Sequence, residues 1–149
     1  MVKIPIVNIG AQRTRSRVVS SSEGVVDSIG IGTSNAAEAL TDTVLGVGGA
    51  TSSWKNTGAG ATLTDSSGSD TSSTTDSWWQ LEATWGTGEF NGNTVFEIGT
   101  SAGSLSGTDP AGEDGTKLYS RKRVGGATGL GKTSDYSLVA RVKFTYPSS

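Results

Sequence analysis

The sequence predicts an all-β fold: a small antiparallel β-sandwich or barrel with long Gly/Ser/Thr loops, at most one short helix, and an extended N-terminal arm. Three observations predict it. The 149 residues include 22 Gly, 22 Ser and 20 Thr, whereas helix formers such as Leu, Glu, Lys and Gln are scarce. Apolar residues alternate at period two in two long segments near the middle and the end of the chain. Turn-forming glycines and polar runs separate these segments.

The elements follow in order. Residues 1–9 (MVKIPIVNI) read as a strand or an extended arm. A signal peptide places its charge before a longer apolar region, and here Arg13, Arg15 and Arg17 come after a short one. No run approaches the ~20 apolar residues of a membrane helix, so no membrane partner is expected. We divide the chain into the arm, residues 1–22, and a β-domain, residues 23–149. Gly24 to Gly32 is a β-branched run ending in glycines and reads as a strand. Ser34 to Leu40 is the best helix candidate, with Asn35 as cap and Glu38 reaching back to it. Thr64 to Ser77 has no apolar residue and reads as a mobile loop.

In the segment from Trp78 to Trp85, Trp79, Leu81, Ala83 and Trp85 share one face and Trp78 takes the other. Trp79 and Trp85 are expected in the core, and Trp78 at an interface. Asn91-Gly92 is a strong hairpin turn signal, so residues 78–99 are expected to form one antiparallel hairpin. Lys117 to Val124 and Asp135 to Tyr146 read as the last two strands, joined by the glycine-rich Gly125–Gly131. In the final strand Leu138, Ala140, Val142, Phe144 and Tyr146 line one face, and Val139, Arg141, Lys143 and Thr145 the other.

Composition excludes much chemistry. Without His there is no Ser–His–Asp triad and no imidazole base. Without Cys there is no disulfide, thiolate nucleophile or Cys-ligated metal. Gly126 to Thr133 matches the phosphate-loop pattern G-x-x-x-x-G-K-T in full. Such a loop needs a buried strand before it and a helix after it; Tyr119 to Arg123 is polar, and the following segment alternates as a strand. The match therefore reads as a hairpin loop. Glu82, Glu89 and Glu97 fall in or near the expected hairpin, where two facing carboxylates could act as in a glycosidase. Asp109 to Gly115 could offer loop oxygens to Ca²⁺ but lacks EF-hand spacing and reads as a surface turn. We expect no enzymatic activity, no cofactor and no metal.

The net charge of −2 hides an asymmetry: residues 1–22 sum to +4, residues 23–116 to −12 and residues 117–149 to +6. The basic ends can pair with the acidic middle within one molecule, pair with the middle of the next copy, or bind nucleic acid. Arg13, Arg15 and Arg17 share one face of an extended strand, but the chain is acidic overall and residues 1–53 hold no aromatic. No nucleic-acid partner is expected.

A family resemblance is carried by several short segments. Ile29-Gly30-Ile31-Gly32-Thr33, followed by Leu40-Thr41-Asp42-Thr43-Val44-Leu45, resembles an I-x-x-G-T-G and T-D-T-x-L pattern in small structural proteins of tailed bacteriophages. Glu97-Ile98-Gly99 is similar to the family's E-I-G-L strand, with Thr100 in place of Leu. Leu118-Tyr119-Ser120-Arg121 is similar to its L-F-x-R, and Lys132 to Leu138 to its closing K-T-x-x-D-S-L, which would make Lys132-Thr133 the opening of the last strand. The resemblance implies a virion component at a tail appendage, neck or capsid surface, assembled in the host cytoplasm, with no enzymatic activity. Its expected partners are copies of itself, as a closed homo-oligomer such as a trimer, and other virion proteins. The expected interface residues are Ile4, Ile6, Arg13, Arg15, Arg17, Trp78, Arg141 and Lys143. The alternative is a carbohydrate- or receptor-binding β-module that uses Trp78 and Trp54, with a host-surface glycan as its partner.

Overall fold

The computed structural model describes residues 26–42, 44–46, 53–57, 62–64, 67, 69, 78–102 and 118–144. The arm residues Ile4, Ile6, Arg13, Arg15 and Arg17, the Asp109 to Gly115 turn and most of the Thr64 to Ser77 run lie outside them. Among the described residues there are nine strands and no helix: β1 Val26–Gly32, β2 Trp54–Asn56, β3 Thr62–Thr64, β4 Trp78–Trp85, β5 Thr94–Val95, β6 Glu97–Ala102, β7 Leu118–Arg123, β8 Leu130–Gly131 and β9 Leu138–Phe144. They form a four-stranded sheet in the order β2-β1-β6-β7, a three-stranded sheet β3-β4-β9 and a short ribbon β5-β8. Every pairing is antiparallel, so the all-β expectation holds.

Both larger sheets feed one core. Ile29 and Ile31 of β1 and Ile98 of β6 join Leu81, Ala83 and Trp85 of β4 and Ala140 and Val142 of β9. Phe90 and Val95 enter the same cluster from the connection between β4 and β6. Burying an aliphatic or Phe side chain of this size contributes about 1.5–3 kcal/mol. The period-two alternation of β4 and β9 thus has its expected cause: one face of each strand is inside. The register Leu81↔Val142, Ala83↔Ala140, Trp85↔Leu138 aligns the two apolar faces.

Residues 78–99 do not form a hairpin. β4 pairs with β3 and β9, whereas β6 pairs with β1 and β7. The Asn91-Gly92 turn does form, with Gly92 at φ 75° and Asn91 Nδ2 donating to Thr87 O at 2.6 Å. It passes the chain from one sheet to the other through β5, which pairs with β8. Likewise β7 and β9 lie in different sheets, although the glycine-rich segment joins them. A turn signal fixes the local bend but not the partner of the strand that follows.

The helix expected over Ser34 to Leu40 is absent; residues 33–39 are irregular and a turn follows at 40–41. The Ala36 and Ala37 carbonyls accept hydrogen bonds from Arg121 instead of from helical amides. The Glu38 carboxylate, expected to reach back to the cap, accepts from Arg123 N and Lys122 Nζ. Tertiary ionic partners outcompete a short helix that has little cooperativity of its own.

Trp85 is fully buried, but Trp79 is 44% exposed because it sits at the end of the sheet, opposite Phe144. β4 begins at Trp78, whose side chain lies outside the described residues.

Candidate functional site

The face of the four-stranded sheet that turns away from the core is covered by residues 33–42 and 44–46. On β1, Ile29 and Ile31 enter the core, so Gly30 and Gly32 lie on this other face. Gly30 is paired with Gly99 and with Trp54, so two bare backbones lie beside an indole. A Cβ on Gly30 would stand 2.7 Å from the Trp54 ring and 2.8 Å from Leu45. A Cβ on Gly99 would stand 2.9 Å from both Leu45 and the Ser120 carbonyl. The glycines make room for a second small core of Leu45, Trp54 and Leu118. Here glycine serves close approach rather than turning.

Beside this cluster lies a buried charge network. A Cβ on Gly32 would stand 2.8 Å from Glu97 Cγ, so this glycine admits the Glu97 side chain. Glu97 is fully buried. Its Oε1 accepts from Gly46 N at 2.5 Å and from Ser34 N at 3.3 Å, and its Oε2 accepts from Arg121 Nε. Arg121, 3% exposed, also donates from Nη1 to Asp42 Oδ2 at 2.7 Å and to Ala37 O at 3.2 Å, and from Nη2 to Ala36 O at 3.1 Å. Asp42 Oδ2 also accepts from Ala39 N at 2.8 Å. Thr33 closes the loop, donating from both N and Oγ1 to Gly46 O. Burial by itself works against the Arg121 charge; the hydrogen bonds to Asp42 and Glu97 more than offset it and hold the guanidinium above its ordinary range. The planar fork of arginine suits this task, since one side chain reaches two carboxylates and two carbonyls at once.

The resemblance-bearing residues therefore meet in space. Gly30, Gly32 and Thr33, then Asp42 and Leu45, then Glu97 and Gly99, then Leu118 and Arg121, build one clasp that fixes the loop of residues 33–42 and 44–46 to a sheet. Thr100 shares a 2.6 Å hydrogen bond with Ser120 Oγ. Above the clasp the loop presents Leu40, 61% exposed, and Val44, 45% exposed.

A latch lies at the rim. Lys122 Nζ approaches Glu38 Oε1 at 2.9 Å, and Arg123 N donates to the same oxygen at 2.9 Å. The backbone N–H of Arg123 first, then the Lys122 ion pair, hold the Glu38 carboxyl at about 2, below its ordinary 4.5. A depressed carboxylate stabilises the fold above its unfolded value and loses that contribution as pH falls through the folded one. Between pH 4.5 and about 2, wild-type stability is thus expected to fall more steeply than that of Glu38→Gln. The difference is at most about 1 kcal/mol, because the pair is partly solvated. Denaturant titrations at a series of pH values measure it, and identical slopes would remove the latch.

The three candidate catalytic carboxylates do not come together. Glu82 projects from the outer face of β4 and pairs with Arg141 at 2.5 Å. Glu89 pairs with Lys55, which lowers its pKa, helped by Gly86 N. Glu97 lies on the far side of the other sheet, under the loop. A facing acid–base pair is therefore not formed. Trp54 is 1% exposed, which removes it as a glycan platform. Lys132 of the phosphate-loop match is buried, with its ammonium donating to Asn91 Oδ1 and Thr133 O. It does not open the last strand either: a turn intervenes before β9 begins at Leu138.

Of the expected interface residues, Arg141 is 60% exposed at its side chain while paired with Glu82, and Lys143 follows on the same face, partly buried. The C-terminal basic segment pairs with the acidic middle inside the molecule at Arg121–Asp42, Arg121–Glu97, Lys122–Glu38 and Arg141–Glu82. Sequence reasoning missed Arg121 as a buried residue; its one signal was the resemblance at Leu118 to Arg121. Comparison with protein-family models, curated proteins and solved structures gives no match.

Proposed function

We propose that this chain is a non-enzymatic structural component of a tailed-phage virion, at a tail appendage, neck or capsid surface, built as a β-sandwich that assembles with copies of itself and with other virion proteins. The observation that carries the reading is the clasp: the residues that resemble phage structural proteins form one buried network, and their charges hold a loop in place. Glu97 and Arg121 are buried and bonded internally, and Asp42 Oδ2 is shared between Arg121 and Ala39 N, so together they fix a surface shape. A loop pinned by this network and carrying the exposed Leu40 and Val44 suits a protein whose work is contact. The arm, residues 1–22, adds interface by strand addition through Ile4 to Ile9 and charge complementarity through Arg13, Arg15 and Arg17.

Deleting residues 1–22 tests this. The truncated protein is expected to lose incorporation into particles, and the full chain to run as a salt-sensitive oligomer by light scattering. Wild-type incorporation of the truncated protein would refute the arm. A second reading, a glycan-binding module, is favoured by Trp79, 44% exposed on a rigid strand. Its test is a shift in tryptophan fluorescence on titration with host-surface glycans, lost in Trp79→Ala.

A further inference from the structure

Lys132 is a buried amine that the clasp does not use. It is 1% exposed, and among the described residues no carboxylate lies within ion-pairing distance of its Nζ. Its neighbours are Asn91 Oδ1 at 2.9 Å, Thr133 O at 2.6 Å and the Tyr136 ring, 5.4 Å to the centroid. A buried ammonium without a counter-ion is a costly arrangement, only partly relieved by carbonyls and a ring face.

The contact with Asn91 is held from both sides. Lys132 N donates to Asn93 O, and Gly92 N donates to Lys132 O, each at 2.9 Å. The β5–β8 pairing continues this alignment through Thr94↔Gly131. The Asn91 amide is fixed at its other end by Nδ2 donating to Thr87 O at 2.6 Å. An amine and a primary carboxamide, 41 positions apart in sequence, are thus fixed against each other in a partly dry site.

We propose that Lys132 and Asn91 are the site of an intramolecular isopeptide cross-link. Lys132 Nζ, having given its ammonium proton to a base, attacks Asn91 Cγ. The Cγ–Nδ2 bond breaks, Nδ2 leaves as ammonia with a proton from the attacking nitrogen, and a secondary amide joins the two side chains. One ammonia is lost, no oxidant is needed, and the buried charge disappears. Hydroxide at mildly alkaline pH, arriving by the exposed side of Asn91, takes the ammonium proton. Asn91 reaches the surface, which gives the ammonia an exit. The bond would brace a chain that has no cysteine, where the Asn-Gly turn meets the glycine-rich segment.

Intact mass and tryptic mapping of the full-length chain test this, before and after prolonged incubation at mildly alkaline pH. The expected result is a mass lower by one ammonia and a joined species, residues 56–117 linked to residues 124–141, with no cleavage after Lys132. Ring closure of Asn91 onto Gly92 also loses ammonia, so Lys132→Arg is the control. In that variant the joined species vanishes if the cross-link is real, and any ammonia loss that remains is ring closure. A wild-type chain that is cleaved after Lys132 and yields no joined species, whatever its ammonia loss, overturns the proposal. The wild-type map decides by itself if the variant fails to fold.

Discussion

Replacing Arg121 by methionine is expected to lower folding stability by about 3–5 kcal/mol, because it leaves buried carboxylates without their cation. Glu97 is fully buried and Asp42 partly so, and both depend on this one guanidinium. Methionine roughly conserves volume, so the loss reports charge and hydrogen bonding more than packing. Arg121→Lys keeps the charge but cannot reach two carboxylates and two carbonyls together, and is expected to lose less. Pairing Arg121→Met with Glu97→Gln is expected to recover part of the deficit, since the stranded charge is removed along with its partner. Chemical denaturation of the four proteins measures each value. A single-variant loss below about 1 kcal/mol would show that the network is solvated, as surface pairs are.

Trp54→Ala is expected to cost about 3–5 kcal/mol, the range for emptying a large aromatic site. The indole lies on Gly30 and anchors Leu45 and Leu118, so its loss leaves a cavity walled on one side by bare backbone. Backbone cannot rotate in to fill it, which places the cost toward the upper end. The same substitution frees Leu45, the residue next to Gly46, whose amide donates to Glu97. Trp54 and Arg121 should therefore be coupled, with a double-mutant interaction energy of about 0.5–3 kcal/mol. Additive losses would mean that the small core and the charge network hold the loop independently.

Together these expectations describe a loop held by two unlike devices, a patch of apolar contact and a forked ion pair. The first is insensitive to pH and weakens on cooling. The second resists heat but depends on every partner being present. Either one alone would have to offset the ordering entropy of the loop, about 1–2 kcal/mol per residue for the backbone alone.

Local pattern determined the strands. The alternation in Leu81, Ala83 and Trp85 and in Leu138, Ala140 and Val142 is a consequence of pleat geometry, and it predicts both strands and their inner faces, with Trp79 left outside at the sheet end. The absence of His and Cys set the available chemistry before any fold was known. Asn91-Gly92 marked a turn because Gly92 takes a positive φ, 75°, that residues with a Cβ rarely adopt. Each of these rests on residues a few positions apart, where sequence distance and spatial distance agree.

What the tertiary structure decided rests on distant pairs. Glu38 stands in a good capping position, yet its carboxylate is taken by Arg123 N and Lys122 from 85 and 84 positions away, and no helix forms. Arg121 sits in a polar run that reads as exposed, and is buried because Glu97 and Asp42 arrive from 24 and 79 positions away. Gly30 and Gly32 read as strand-ending glycines, and their actual role is to admit Trp54 and Glu97 against the sheet. A buried charge or a missing side chain is favourable only when its partner is in place, and only the sheet order β2-β1-β6-β7 brings those partners together.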